Sequence, residues 1–164
     1  MHGQDTDSVD TIFALLREVE LLPRDFSDAR RLTSNPLPYI GEVLATAFAH
    51  AQAVLTLFTP DERVELRDAL RGTQPIAVEF QPRPNVLIEA GTALATHSTR
   101  TVIAELGEVQ SISDLLGRHV VRCREDPPIP RAELLERLTD AGCHPNMSGT
   151  RWMDAGKKER PSWL

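Results

Sequence analysis

Apolar residues recur along the chain with two different periods, and the alternation between them predicts the fold class. Ile12, Leu15, Leu16 and Val19 fall at i, i+3, i+4 and i+7, one stripe of a helix that Asp7 or Ser8 can cap and that runs to about Glu20. Leu21 to Phe26 reads as a short strand. Pro23 inside it cannot donate to a ladder, so this strand belongs at a sheet edge. A polar stretch, Ser27 to Pro38, separates it from a second helix over Tyr39 to Ala51, with Ile40, Val43, Leu44, Ala47 and Phe48 on one side. Ala53 to Thr59 (AVLTLFT) is almost continuously apolar, the pattern of a central parallel strand covered on both faces. Asp61 to Leu70 then reads as helical, and Arg71 to Pro84 as a loop with three prolines and one glycine. Asn85 to about His97 is a third helix, opened by Pro84 at its first turn. Thr101 to Leu106 and His119 to Cys123 read as two further strands. Arg131 to Ala141 is a last helix, stopped by Gly142.

Strands alternating with helices predict an α/β fold, a parallel sheet with helices on both faces. Counted from the first helix, a doubly wound sheet needs a strand before it, and in the flavodoxin-like order that strand is central. The chain starts too late to supply one: either the sheet closes without it, or Met1 is a truncated start. A length of 164 residues suits one hydrophobic core rather than two. The expected division is a domain over 1–143 and a tail or linker over 144–164, which holds Trp152, Trp163 and a Lys-Lys-Glu-Arg run.

Composition removes several function classes. With a net charge of -6 and no Lys or Arg block before the last few residues, nothing asks for a nucleic-acid backbone as partner. Cys123 and Cys143 make no disulfide framework and read as free thiols of a reducing cytosol. Cys143 and His144 adjoin, but no second pair completes a metal-binding spacing, so no metal is expected. The acidic, polar N-terminus is no secretory signal, and no apolar run approaches the ~20 residues that span a bilayer. A cytoplasmic protein is expected, with the sequon at Asn146 a chance match.

The third helix carries the most informative pattern. Val86, Ala90 and Leu94 form an apolar stripe widened by Leu87 and Ile88, while Asn85, Glu89, Thr92 and Thr96 form one narrow polar stripe at i, i+4, i+7 and i+11. A carboxylate on a mostly buried helix needs solvent or a partner. Glu89 lies near the helix start, where the dipole favours its charged form, and Gly91 beside it allows close approach. A plain solvated face is the competing account. Searches for a P-loop, a dinucleotide glycine fingerprint, a Gly-x-Ser-x-Gly elbow and a His-Glu-x-x-His motif all come back empty.

Arg83-Pro84-Asn85-Val86-Leu87-Ile88-Glu89-Ala90-Gly91 resembles the Arg-x-Asn-Val-hydrophobic-x-Glu-x-Gly signature of bacterial TIR-like proteins. That group includes TIR effectors of cyclic-nucleotide antiphage defence. Other landmarks fall in the family's order: His2-Gly3-x-Asp5, Thr59-Pro60-Asp61, and Ser113-Asp114-Leu115 with Gly117. The likeness spans roughly residues 2–124 and implies a flavodoxin-like TIR fold.

It also implies an NAD glycohydrolase with Glu89 as the catalytic carboxylate, NAD as substrate and no cofactor. His2, Gly3, Asp5, Thr33, Asp61, Arg83 and Asn85 become the substrate-binding candidates, with Arg30, Arg31 and Thr33 in a loop that TIR domains use for assembly and gating. Asp61 reads equally as a helix N-cap, and Arg83 as a partner of Glu79. The position four residues before the glutamate, aromatic in many TIR hydrolases, is Asn85 here. TIR–TIR self-association and a fused or separate sensor domain are the implied partners. Two alternatives are a relative of the nucleoside 2-deoxyribosyltransferases, whose glutamate is a covalent nucleophile, and a TIR interaction module without catalysis.

Overall fold

The computed structural model describes residues 6–71, 79–110, 112, 115, 120–123 and 130–156. Helix α1 spans Thr6–Glu18, α2 Phe26–Arg31 and α3 Ile40–His50. Strand β1 spans Val54–Phe58, β2 Glu62–Val64, and a four-residue helix α4 Asp68–Arg71. Strand β3 is Glu79–Gln81, α5 Pro84–Thr96, β4 Thr101–Leu106, β5 Val121–Cys123 and α6 Arg131–Asp140.

The main sheet has the order β1-β4-β5 and is parallel throughout, with Phe58 opposite Glu105 and Glu105 opposite Arg122. Helices cover both faces. On one face, Ile12 and Leu15 of α1 and Leu134, Leu135 and Leu138 of α6 pack on Leu57, Val102, Ala104 and Val121. On the other, α3 and α5 supply Leu44, Phe48, Val86, Ala90 and Ala93 against Val54, Phe58 and Ile103. This is the α/β arrangement that the alternation predicts, in keeping with the flavodoxin-like fold that the resemblance implies.

Two expectations along the chain are corrected. Leu21 to Phe26 is not a strand: residues 21–25 carry no regular structure, and α2 starts at Phe26. Asp25 explains the difference. Its side chain accepts from the backbone N–H of Asp28 (3.0 Å), and the Asp28 carboxylate accepts from the N–H of Asp25 (3.4 Å). This reciprocal capping box starts a helix at the point where Pro23 already weakens a ladder. Asp61 to Leu70 is likewise not one helix. Glu62–Val64 pairs antiparallel with Glu79–Gln81, the latter within what reads as loop. Val64 and Leu66 alternate with charged residues, a period of two that outweighs the helical propensity of the Glu and Leu residues.

A cavity of about 490 Å³ lies between α1, residues 21–25, α3 and β1. Its walls include Leu16, Leu44, Phe48, Val54 and Leu57, residues from both faces of β1 and none from β4. In the flavodoxin-like order, this flank of β1 is where the strand preceding α1 stands. Among the described residues no strand precedes α1.

Past α6 the chain turns at Gly142 (φ +89) and runs back along α1. The Asn146 N–H donates to Val19 O (2.9 Å), Arg151 pairs with Glu18 (3.1 Å), and Thr11 Oγ1 lies 3.2 Å from Gly156 O. Arg131 Nη2 donates to Ala155 O (2.9 Å), and Trp152 packs on the α1/α6 core.

Cys123 sits in that same core, and burial, reinforced by Glu133 and opposed by Arg131, pushes its thiol up from 9.0 to about 12. Burial also raises Cys143. Between pH 9 and 12 the folded state keeps the Cys123 proton and the unfolded state has lost it, so stability falls as pH rises, by about 1.4 kcal/mol per pH unit. Urea midpoints at pH 8.5 and 11 are expected to differ less in Cys123→Val than in the wild type. Equal pH dependence in the two proteins would contradict this.

Candidate functional site

Parallel strands bring the C-terminal ends of β1, β4 and β5 to one edge of the sheet, the edge where open α/β sheets bind ligands. Thr59, Pro60 and Asp61 follow β1 there, and Gly107 (φ +83) follows β4. Helix α5 returns antiparallel to the strands, so its first turns stand at this edge, with Val86 and Ala90 seated on Phe58 and Ile103.

The rotation of α5 decides where Glu89 points. Leu87 and Leu94 occupy the flank that packs with Val109, Ile112 and Leu115. At 100° per residue, Glu89 and Asn85 occupy the opposite flank, the one turned toward α3, whose Leu44 and Phe48 meet Ala93. Glu89 is half-buried and Asn85 exposed. The polar stripe is shorter than its sequence pattern. Thr92 Oγ1 donates to Ile88 O (2.8 Å) and Thr96 Oγ1 to Thr92 O (2.7 Å), so both hydroxyl protons are used within the helix. Asn85 and Glu89 make up the rest of the stripe, at its end nearest the strand edge.

Gly91 is exposed, and a Cβ there would meet nothing within 4 Å, so no neighbouring segment of the described chain requires its small size. Arg83 sits at the N-cap position of α5, exposed, and among the described residues no ion pair joins it to Glu79. Asp61 is half-buried and its N–H donates to Thr59 O (2.8 Å). It does not cap a helix, because Glu62–Val64 is a strand. Thr33 lies in the loop between α2 and α3, where Oγ1 donates to Arg30 O (2.8 Å) and closes the end of α2. Asn35 braces that loop by donating to Glu42 Oε2 (3.1 Å) and accepting from the Leu37 N–H (3.0 Å). His2, Gly3 and Asp5 lie outside the described residues, as do Ser113, Asp114 and Gly117.

Two features at this edge escape a reading of the sequence. Glu105, 8% exposed, ends the apolar run of β4 on the α5 face and pairs with Arg122 Nε at 3.0 Å. A Glu inside an apolar strand is the available signal, because a buried carboxylate requires a partner. Thr59 is fully buried, and its Oγ1 has no hydrogen-bond partner among the described residues.

Residues 1–125 match the family model described as CAP12/Pycsar effector protein, TIR domain. The chain belongs to this family. A comparison with curated proteins gives no match. The family match of this TIR domain runs through β5 and stops before α6, so α6 and the returning segment 143–156 lie outside it. None of the residues lining the 490 Å³ cavity belongs to the Glu89 edge of the TIR domain. Among the described residues, no three His, Cys, Asp or Glu side chains gather as a metal site, and no helix is long and apolar enough to cross a membrane.

Proposed function

We propose that this TIR domain is an antiphage-defence effector that cleaves the nicotinamide–ribose bond of NAD, with Glu89 as its catalytic residue. The observation that carries the reading is a half-buried carboxylate on the second turn of α5, at the strand edge that binds ligands, within a member of a TIR effector family. Nicotinamide leaves a pyridinium as a neutral molecule: the C–N bond breaks, its electron pair stays on nitrogen, and no general acid is needed. Positive charge develops on the ribose, as in glycoside cleavage. Glu89 stabilises that charge and holds the ribose hydroxyls, and water then adds and releases its proton. In this reading Asn85, one turn earlier on the same flank, lies toward the ribose and Arg83 toward the diphosphate. Asp61, Thr33 and the His2-Gly3-x-Asp5 segment complete the contacts. NAD is the substrate, with no cofactor or metal, and residues 1–143 are the effector unit.

The protein acts in the cytoplasm as an assembly, under a fused or separate sensor domain. Leu37, Tyr39 and Ile40 are exposed by 88%, 74% and 61%, and this apolar cluster before α3 supports self-association. The test is to incubate the purified full chain with NAD, at concentrations where light scattering shows oligomers. Free nicotinamide with linear or cyclised ADP-ribose is expected. Intact NAD at every assembled concentration overturns the reading.

A further inference from the structure

We propose that residues 143–156 form a coupling strap, transmitting displacement of the chain at Gly156 to the first turns of α1 and α6. The route of the segment carries the inference. It meets α1 at the C-terminal end, through Asn146 to Val19 O and Asn146 Nδ2 to Glu20 Oε1 (2.9 Å). It continues past Glu18, held by Arg151, and ends at Thr11, whose hydroxyl is shared between Asp7 O of its own helix (3.0 Å) and Gly156 O (3.2 Å). From Val19 to Thr11 is about 12 Å of helix at 1.5 Å per residue. The strap therefore carries the chain from the base of the sheet to the edge where α1 and α6 begin, and where Glu89 stands.

Its upper end is the more tightly fitted. Gly156 has φ +72, and a Cβ there would lie 2.7 Å from Thr11 Cα and 2.8 Å from Thr11 O. Only glycine permits both that backbone and that approach. One residue earlier, the Ala155 carbonyl accepts from the guanidinium of Arg131, a residue only 7% exposed at the first position of α6. A buried cation that loses an acceptor is costly, so α6 cannot keep its start if Ala155 moves away. Trp152 holds the middle of the strap against the α1/α6 core. The lower attachment leans on Arg151–Glu18, whose arginine side chain is 87% exposed, a pairing worth little. The two ends are thus unequal, and the stronger one joins two helices at the ligand edge.

Hydrogen exchange tests this without relying on NAD cleavage, so failure of either idea is recognised separately. In Gly156→Val, amide exchange over residues 9–15 of α1 and 134–138 of α6 is expected to accelerate at least tenfold, with α3 and α5 unchanged. Thr11→Val keeps the size and removes the hydroxyl from both Asp7 O and Gly156 O, and about a threefold acceleration is expected in α6 as well as in α1, where the α6 change reports the strap. It serves as the second readout if Gly156→Val does not fold. Acceleration confined to residues 154–156, or spread equally over all helices, overturns the proposal.

Discussion

Glu89→Gln is expected to lower the rate of NAD cleavage by roughly 10²–10³, the cost typical of removing one preorganised electrostatic contact from a transition state. The amide keeps the shape of the side chain and removes its charge, so ribose binding survives in part while the developing oxocarbenium loses its counter-charge. The loss should therefore fall mainly on kcat and much less on KM. The melting temperature should change far less than the rate, since the amide keeps the size of a half-buried side chain outside the sealed core. A folded, assembled Glu89→Gln protein that cleaves NAD at the wild-type rate removes Glu89 from the chemistry. A variant that loses stability and activity in proportion marks Glu89 as structural.

Leu135→Ala is expected to lower stability by about 2–5 kcal/mol. Leu135 is 0% exposed between α1 and the sheet, and the truncation leaves a space that parallel strands and two packed helices cannot close. Against a total of roughly 5–15 kcal/mol, a loss of that size brings the domain near unfolding in mild denaturant. Leu22→Ala, at an 86% exposed position, is the control and should shift the urea midpoint very little. The comparison tests α6 itself, which the family match does not cover. If Leu135→Ala unfolds at the wild-type urea concentration, α6 does not belong to the same cooperative core.

The central strands and long helices are legible in the sequence because burial on two faces leaves a strong pattern. Val54–Phe58 and Thr101–Leu106 are nearly unbroken apolar runs, and α1 and α5 show complete stripes. What misleads is short or locally decided. Residues 21–26 have strand-like composition, yet a reciprocal pair of Asp side chains at 25 and 28 turns the end of the segment into a helix. Strands β2 and β3 are three residues each and rich in charge, so the period of two at Val64 and Leu66 is too short to stand out against the helix-forming Glu and Leu residues around it. At the candidate site, the polar stripe on α5 singles out Glu89, but the flank it occupies depends on which neighbours Leu87, Ala93 and Leu94 meet. The Glu105–Arg122 pair is invisible to a local reading because its two members lie on different strands. The threonines of the stripe look available in sequence and are occupied by their own helix.

The strap also fixes how the domain answers a pull on its C-terminal end. Its attachments come in series along α1 and α6, so tension loads the Gly156 and Ala155 contacts first, then Trp152, then Arg151 and last Asn146, as a zipper opens rather than as a bolt shears. Single neutral hydrogen bonds contribute about 1 kcal/mol each, so most of the resistance on that path comes from the indole and from the buried Arg131 that donates to Ala155. Full detachment of the 14 residues 143–156 frees up to about 50 Å of chain and leaves the start of α6 without its Ala155 acceptor. A neighbour tethered there gains reach before the sheet feels any damaging force.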